Sequence, residues 1–277
     1  MSPFEPPPMQ WMQCDDARLA YGRAGETGPP VVLIMGFTMP GSAWRFQIDG
    51  LSRDHRVVWF DNRGSGQTES PMRPLTMARF AADVGLLMDH LGWPTAHIVG
   101  VSMGGMIAQE FAVENPQRVL SLSLLATHAG GRTLKLPPTA GLIQFFKTQF
   151  LPGRRRKGRA LARLLFPEDW MAQVDRAWLR AVLVADYGEQ PTAVQRISQL
   201  AAVSRHDTRH RLKRLARVRT LVVKPSRDIL VKPRHSDTVH RLIPNSRLVE
   251  CPNAGHGVIR QEADRINDLL REHFRAE

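Results

Sequence analysis

Only two cysteines, Cys14 and Cys251, occur in the 277 residues, and they lie far apart. That excludes a disulfide framework or a cysteine metal knuckle as the basis of the fold. No uninterrupted apolar run approaches the roughly 20 residues that a spanning helix needs. The opening Met1-Ser2-Pro3-Phe4-Glu5-Pro6-Pro7-Pro8 lacks both the basic start and the apolar stretch of a secretory signal. Residues 1–9 are expected to form a Pro-rich arm, and the cytoplasm is the expected compartment. Beyond those prolines there is no repeat or low-complexity tract. Acidic residues are also scarce, 26 against 38 basic ones, for a net charge of +12. The excess is spread over arginine-rich stretches, densest at Gly153–Arg159 and His206–Arg219, and no nucleic-acid module accompanies it. It is expected to be a solvated basic face, with no nucleic-acid partner.

What is present is an alternation. Met9–Cys14 and Ala17–Tyr21 read as an antiparallel hairpin turned by Asp15-Asp16. Val31–Met35, Arg56–Phe60, His97–Val101, Val119–Leu125, Leu221–Lys224 and Arg247–Glu250 follow as short apolar strands. Between them Thr76–Leu91, Met103–Glu114, Lys232–Leu242 and Ala263–His273 carry the 3.6-residue apolar spacing of helices. This is the pattern of an α/β fold with a mostly parallel sheet covered on both faces. The alternation breaks after Gly130: Leu142–Phe150, Arg159–Phe166, Asp175–Ala185 and Ala193–Ala202 all look helical. The expected organisation is a core built from 10–130 and 207–277, interrupted by a helical insertion over 131–206. Asp207-Thr208 reads as the N-cap of the helix that returns to the core.

The chemistry concentrates at Gly100-Val101-Ser102-Met103-Gly104, where an apolar strand runs into a helix. A tight strand-to-helix turn exposes the serine hydroxyl, and side chains at the two glycines would collide with neighbouring backbone. Serine is a weak nucleophile without a base and an orienting acid. Asp228 follows the strand at 221–224, and His256 follows the strand at 247–250. Ser102, His256 and Asp228 are thus the candidate nucleophile, proton shuttle and orienting carboxylate.

These residues resemble the α/β-hydrolase family, and the likeness covers nearly the whole chain. Val31–Phe37 with Trp44 is similar to the family's strand and oxyanion loop, and Asp61-Asn62-Arg63-Gly64-Ser65-Gly66 to the turn after its next strand. Met35-Gly36 stands where many relatives have His-Gly. The resemblance implies a helical cap at 131–206, and an oxyanion hole formed by the backbone N–H groups of Phe37 and Met103. It implies hydrolysis without a cofactor, on a small-molecule ester with an apolar acyl or aryl part. The Met-Gly form looks most like a methylesterase branch. Lactone, thioester or carbon–carbon bond hydrolysis, acyl transfer and perhydrolysis use the same triad, and a non-catalytic binding protein could keep the same pocket.

Other residues support blander readings. His206 and His210 are spaced i, i+4 but lack an HExxH glutamate, so a solvated basic helix is expected and no metal. Gly64-Ser65-Gly66 has no following Lys-Ser/Thr, so it reads as a turn, with Asp61 fixing it rather than attacking substrate. Aromatics of the insertion, Tyr187 among them, are expected mostly in its core. Trp170 and Trp178 are candidates to line the substrate pocket, and His128, just past a strand, could face it from the sheet edge.

Overall fold

The computed structural model describes residues 7–131, 139–151, 153–186 and 191–275. Residues 1–6 of the Pro-rich arm, Tyr187 and parts of the 131–206 insertion lie outside the described residues.

β1 (Gln10–Cys14) and β2 (Ala17–Ala24) form the expected hairpin, with Asp15 at φ 34 in its turn. β3 (Pro30–Ile34), β4 (Arg56–Phe60), β5 (Ala96–Val101), β6 (Val119–Leu125), β7 (Thr220–Pro225) and β8 (Arg247–Cys251) complete one sheet. Its eight strands run in the order β1-β2-β4-β3-β5-β6-β7-β8. β2 is antiparallel to both β1 and β4, and every other pairing is parallel. Because successive side chains point to opposite faces, the apolar runs of the parallel strands feed two cores at once. Val32, Ile34, Val58, Ile98 and Leu124 enter one, while Val31, Leu33, Val57, Val99 and Val223 enter the other.

Helices cover both faces. α1 (Arg45–Leu51) lies between β3 and β4, α2 (Met77–His90) between β4 and β5, and α3 (Met103–Glu114) follows β5. The Thr76 side chain accepts the Arg79 N–H at 3.1 Å and caps α2. Among the described residues five helices sit between β6 and β7: α4 (Thr139–Phe150), α5 (Arg154–Leu165), α6 (Glu168–Gln173), α7 (Arg176–Asp186) and α8 (Ala193–Arg205). α9 (Arg234–Leu242), α10 (Val258–Gln261) and α11 (Ala263–Arg275) finish the chain. α2, α3 and α9 bury Phe80, Phe111 and Val239 in the first core, and α1 and α11 bury Ile48 and Leu270 in the second.

The inserted helices leave and rejoin the core beside one another, at an isolated bridge between Gly130 and Asp207. The segment after Asp207 differs from expectation. Only a short 3₁₀ helix, Leu212–Arg217, forms there, and the Thr208 hydroxyl donates to Gln109 Oε1 at 2.7 Å instead of capping it. His206 and His210 therefore share no helix, and His206 is buried, not solvated. α1, α6 and α10 have no counterpart in the sequence reading. All three are short, and α1 hides its period by burying Arg45 and Gln47.

Candidate active site

Ser102 sits between β5 and α3 at φ 55, ψ −121, a backbone conformation that non-glycine residues rarely adopt. The turn is held by its surroundings: Ser102 N–H donates to Leu125 O at 2.9 Å, and Thr127 Oγ1 donates to Ser102 O at 2.7 Å. The flanking glycines permit the approach. A Cβ on Gly104 would lie 2.0 Å from Ile34 O, and one on Gly100 would lie 2.3 Å from Gly104 O. Both obstacles are backbone and cannot swing aside. Gly104→Ala is therefore expected to cost about 3 kcal/mol or more, at the upper end of overpacking, read as a lower urea midpoint.

The other two members arrive on loops after adjacent strands. Asp228 follows β7 and His256 follows β8, so the parallel pairing of these strands brings the loops together. His256 Nδ1 lies 2.6 Å from Asp228 Oδ2. Asp228 Oδ1 accepts the N–H groups of Leu230 at 2.7 Å and Val231 at 2.8 Å, and the carboxylate is fully buried. With Nδ1 engaged by the carboxylate, Nε2 is the nitrogen left to act on a neighbour. The His256 loop is tied to the inserted helices, because Gly257 N–H donates to Leu165 O at 2.8 Å.

Ser102 and His256 line one cavity of about 120 Å³. They share its wall without a direct hydrogen bond between them. Phe37 lines it too, in the loop after β3, where a Cβ on Gly36 would come within 3.2 Å of Ser102 Cβ. Met103 is the first residue of α3, so its N–H has no partner within the helix. The rest of the wall is largely apolar: Met35, Met39 and Leu230 come from the core, and Phe145, Leu161, Leu164 and Leu165 from α4 and α5.

A polar scaffold fixes the Phe37 loop. Asn62 Nδ2 donates to Met35 O at 2.9 Å, and Asp61 accepts the N–H groups of Gly41 at 2.6 Å and Gln67 at 2.7 Å. Asp61 is thus a turn carboxylate. Its buried position raises its pKa, opposed by the Gln67 and Gly41 donors. Arg63 anchors the same turn with a bidentate pair to Asp83, at 2.7 and 2.9 Å, and a bond to Asp16 at 2.8 Å. Sequence reasoning missed Gln199 of α8. Its Oε1 accepts Thr38 N–H at 2.9 Å while its Nε2 donates to Arg63 O and Ser65 Oγ at 2.8 and 2.9 Å. One buried amide therefore joins the inserted helices, the Phe37 loop and the Asp61 turn; its only sequence signal is a glutamine one turn before the buried Ala202.

Three pocket expectations need correction. Trp170 stacks on Phe166 at 4.7 Å, and Trp178 faces Phe46 at 6.3 Å, so both pack outside the cavity wall. His128 lies beside the rings of His206 and His235, each at 6.0 Å, and its Nδ1 accepts Gly130 N–H at 3.0 Å. Burial pushes the His128 pKa down to about 3, which keeps the ring neutral, and the ring is not part of the cavity wall. Among the described residues no cluster of three or more metal-ligating side chains occurs.

Comparison with known proteins matches residues 29–263 to the family described as alpha/beta hydrolase fold. The chain is 29% identical over 269 residues to a protein of Azorhizobium caulinodans named "Putative carbamate hydrolase RutD", covering 95% of this chain and 97% of that one. It is 29% identical over 268 residues to the dihydrolipoyllysine-residue acetyltransferase component of an acetoin cleaving system from Cupriavidus necator, covering 96% of this chain and 68% of the other. Among solved structures, a thermophilic esterase from Thermogutta terrifontis superposes with a TM-score of 0.78 at 26% identity, over 94% and 93% of the two chains.

Proposed function

The chain belongs to the α/β-hydrolase fold family, and we propose that it is a serine hydrolase that cleaves a carboxylic ester through an acyl-enzyme. The observation that carries this reading is the buried 2.6 Å contact between His256 and Asp228, opening on the cavity that also exposes Ser102.

Ser102 Oγ attacks the ester carbonyl carbon as His256 Nε2 takes its proton. Asp228, held by three donors, keeps the imidazole oriented and stabilises its charged form. Charge developing on the carbonyl oxygen is met by the N–H groups of Phe37 and Met103, each worth about 3 kcal/mol in comparable sites. Collapse breaks the carbon–oxygen bond, and His256 returns the proton to the departing alkoxide. Water then attacks the acyl-enzyme with His256 again as base, releasing the acid and restoring Ser102. Helices α4–α8 act as a cap whose α4 and α5 roof the cavity, and the apolar roof selects an apolar acyl or aryl group.

Fluorophosphonate labelling tests the nucleophile. Rapid labelling of the wild type at Ser102 and none of Ser102→Ala is expected; an unlabelled wild type would overturn the serine nucleophile and favour a binding role. Aryl esters graded by acyl length, run beside lactones and thioesters, then test the bond class. If the acyl group lies under the roof, Leu164→Phe should shift preference towards shorter acyl chains by about tenfold in kcat/KM, the worth of one or two methylenes. Trp170→Ala and Trp178→Ala should leave that ranking unchanged.

A further inference from the structure

The two helices that roof the cavity present a different chemistry on their outer sides. On α4, Phe145, Thr148 and Gln149 face the cavity. Ile143, Phe146 and Phe150, at i, i+3 and i+7, form a stripe on the opposite side of the helix. They are 46%, 54% and 76% exposed, with Lys147 exposed beside them, and the rings of Phe146 and Phe150 stack at 6.1 Å. On α5, Leu161, Leu164 and Leu165 face the cavity, while Arg155, Arg159 and Arg163, at i, i+4 and i+8, form a row on the other side. That row is one wall of a groove of about 900 Å³ whose opposite wall carries Arg176 and Arg180 of α7. Ala162, Met171, Leu179 and Leu183 contribute its apolar lining, and Glu168 is the one acid among the described lining residues. None of these five arginines pairs with a carboxylate among the described residues, whereas Arg227 of the core pairs with Asp169 of α6.

We infer that the outer face of the cap is a docking surface for an anionic phospholipid bilayer, with headgroup phosphates in the arginine groove and the α4 stripe in the interfacial layer. Unpaired guanidiniums suit phosphate oxygens, and an exposed aromatic stripe beside basic residues is the composition of a helix that lies in a membrane surface. The net charge of +12 adds attraction to any anionic surface. Among the described residues no helix is long and apolar enough to cross a bilayer, so the contact is peripheral. An acidic partner helix would satisfy the arginines but offers nothing to the exposed Ile143, Phe146 and Phe150, whereas a bilayer supplies both phosphates and an apolar layer. A second copy of this basic chain is disfavoured by charge. The consequence is that apolar substrate reaches the cavity through a roof already resting on lipid. The inference does not depend on the ester chemistry, because binding is read without turnover.

Vesicle flotation decides it, with phosphatidylcholine vesicles compared with vesicles containing about 30% phosphatidylglycerol. At low salt the full chain should partition at least about tenfold better onto the anionic vesicles, and release when salt reaches about 0.5 M. Arg155→Gln, Arg159→Gln and Arg163→Gln together should weaken binding by about a hundredfold, near fivefold per charge. Phe150→Ser, alone and with Phe146→Ser, should weaken it about tenfold. Melting temperature and turnover of a water-soluble ester should stay at wild-type values. Removing equal charge from the core, with Arg23→Gln, Arg53→Gln and Arg214→Gln, should matter much less. Failure of the wild type to bind anionic vesicles at low salt overturns the inference. So does a core triple as damaging as the cap triple, or a Phe pair without effect.

Discussion

Ser102→Ala is expected to lower kcat on an activated aryl ester by about 10⁴- to 10⁶-fold, with KM changed by no more than a few-fold. The same loss is expected of His256→Ala, and combining the two should add almost nothing, because a nucleophile without its base and a base without its nucleophile are equally idle. Asp228→Asn should cost somewhat less, about 10⁴-fold. It keeps the shape of the contact to His256 Nδ1 but replaces an acceptor carboxylate with an amide, which can hold the imidazole in the wrong tautomer. The residual rate in every variant should reflect the N–H groups of Phe37 and Met103 and simple binding, about 10³-fold over water in comparable sites. Steady-state kinetics of the three single variants and the Ser102/His256 double variant measure this, with melting curves to show that each is folded. Losses that multiply in the double variant would mean independent roles, and the triad reading would fail.

The candidate site was legible because its parts are local. A serine between two glycines at a strand end, an aspartate after one late strand and a histidine after the next each announce themselves by immediate context. What the chain spacing could not give is the closure of these loops, which comes from the parallel pairing of β7 with β8. The strands were readable for the same reason: buried on both faces, they are continuous apolar runs bounded by turn residues. The pocket wall was not readable. Helical periodicity identified α4, α5 and α7 but says nothing of which face of an inserted helix turns towards the core. Trp170 and Trp178, chosen for size, pack against Phe166 and towards Phe46, whereas the wall is drawn from Phe145 and leucines. Gln199 escaped for a related reason. A buried amide that satisfies three groups in two separate segments has no local pattern, because all its partners lie more than a hundred residues away.

Buried histidines escaped in the same way, and they set the last expectation: the protein should lose most of its stability between pH 6.5 and 5. Burial pushes His97 and His128 down to about 3, and His206 and His273 to about 4. Each is held neutral in the fold but takes up a proton near its ordinary value of 6.5 once the chain unfolds. Their contribution is therefore complete above 6.5 and is lost as pH falls towards 4 or 3, because over that range the unfolded chain binds more protons. At pH 5 each deficit is about 2 kcal/mol, and four together approach about 8 kcal/mol, within the roughly 5–15 kcal/mol that holds a domain folded. The surroundings offer little relief. His97 faces His55, Arg219 and His273, and stacks on Phe274 at 4.2 Å; His128 faces His206 and His235. Asp61 works in the opposite direction, since a carboxyl raised by burial favours the fold as it protonates, and it offsets part of the loss. Urea unfolding at pH 7.5, 6.5, 5.5 and 5.0 measures the slope. His273→Gln, which removes one of the four, should flatten it by about one proton on the acid side whatever it does to stability at pH 7.5. An unfolding free energy level from pH 7.5 to 5 would show that these rings are charged in the fold, or that water reaches them.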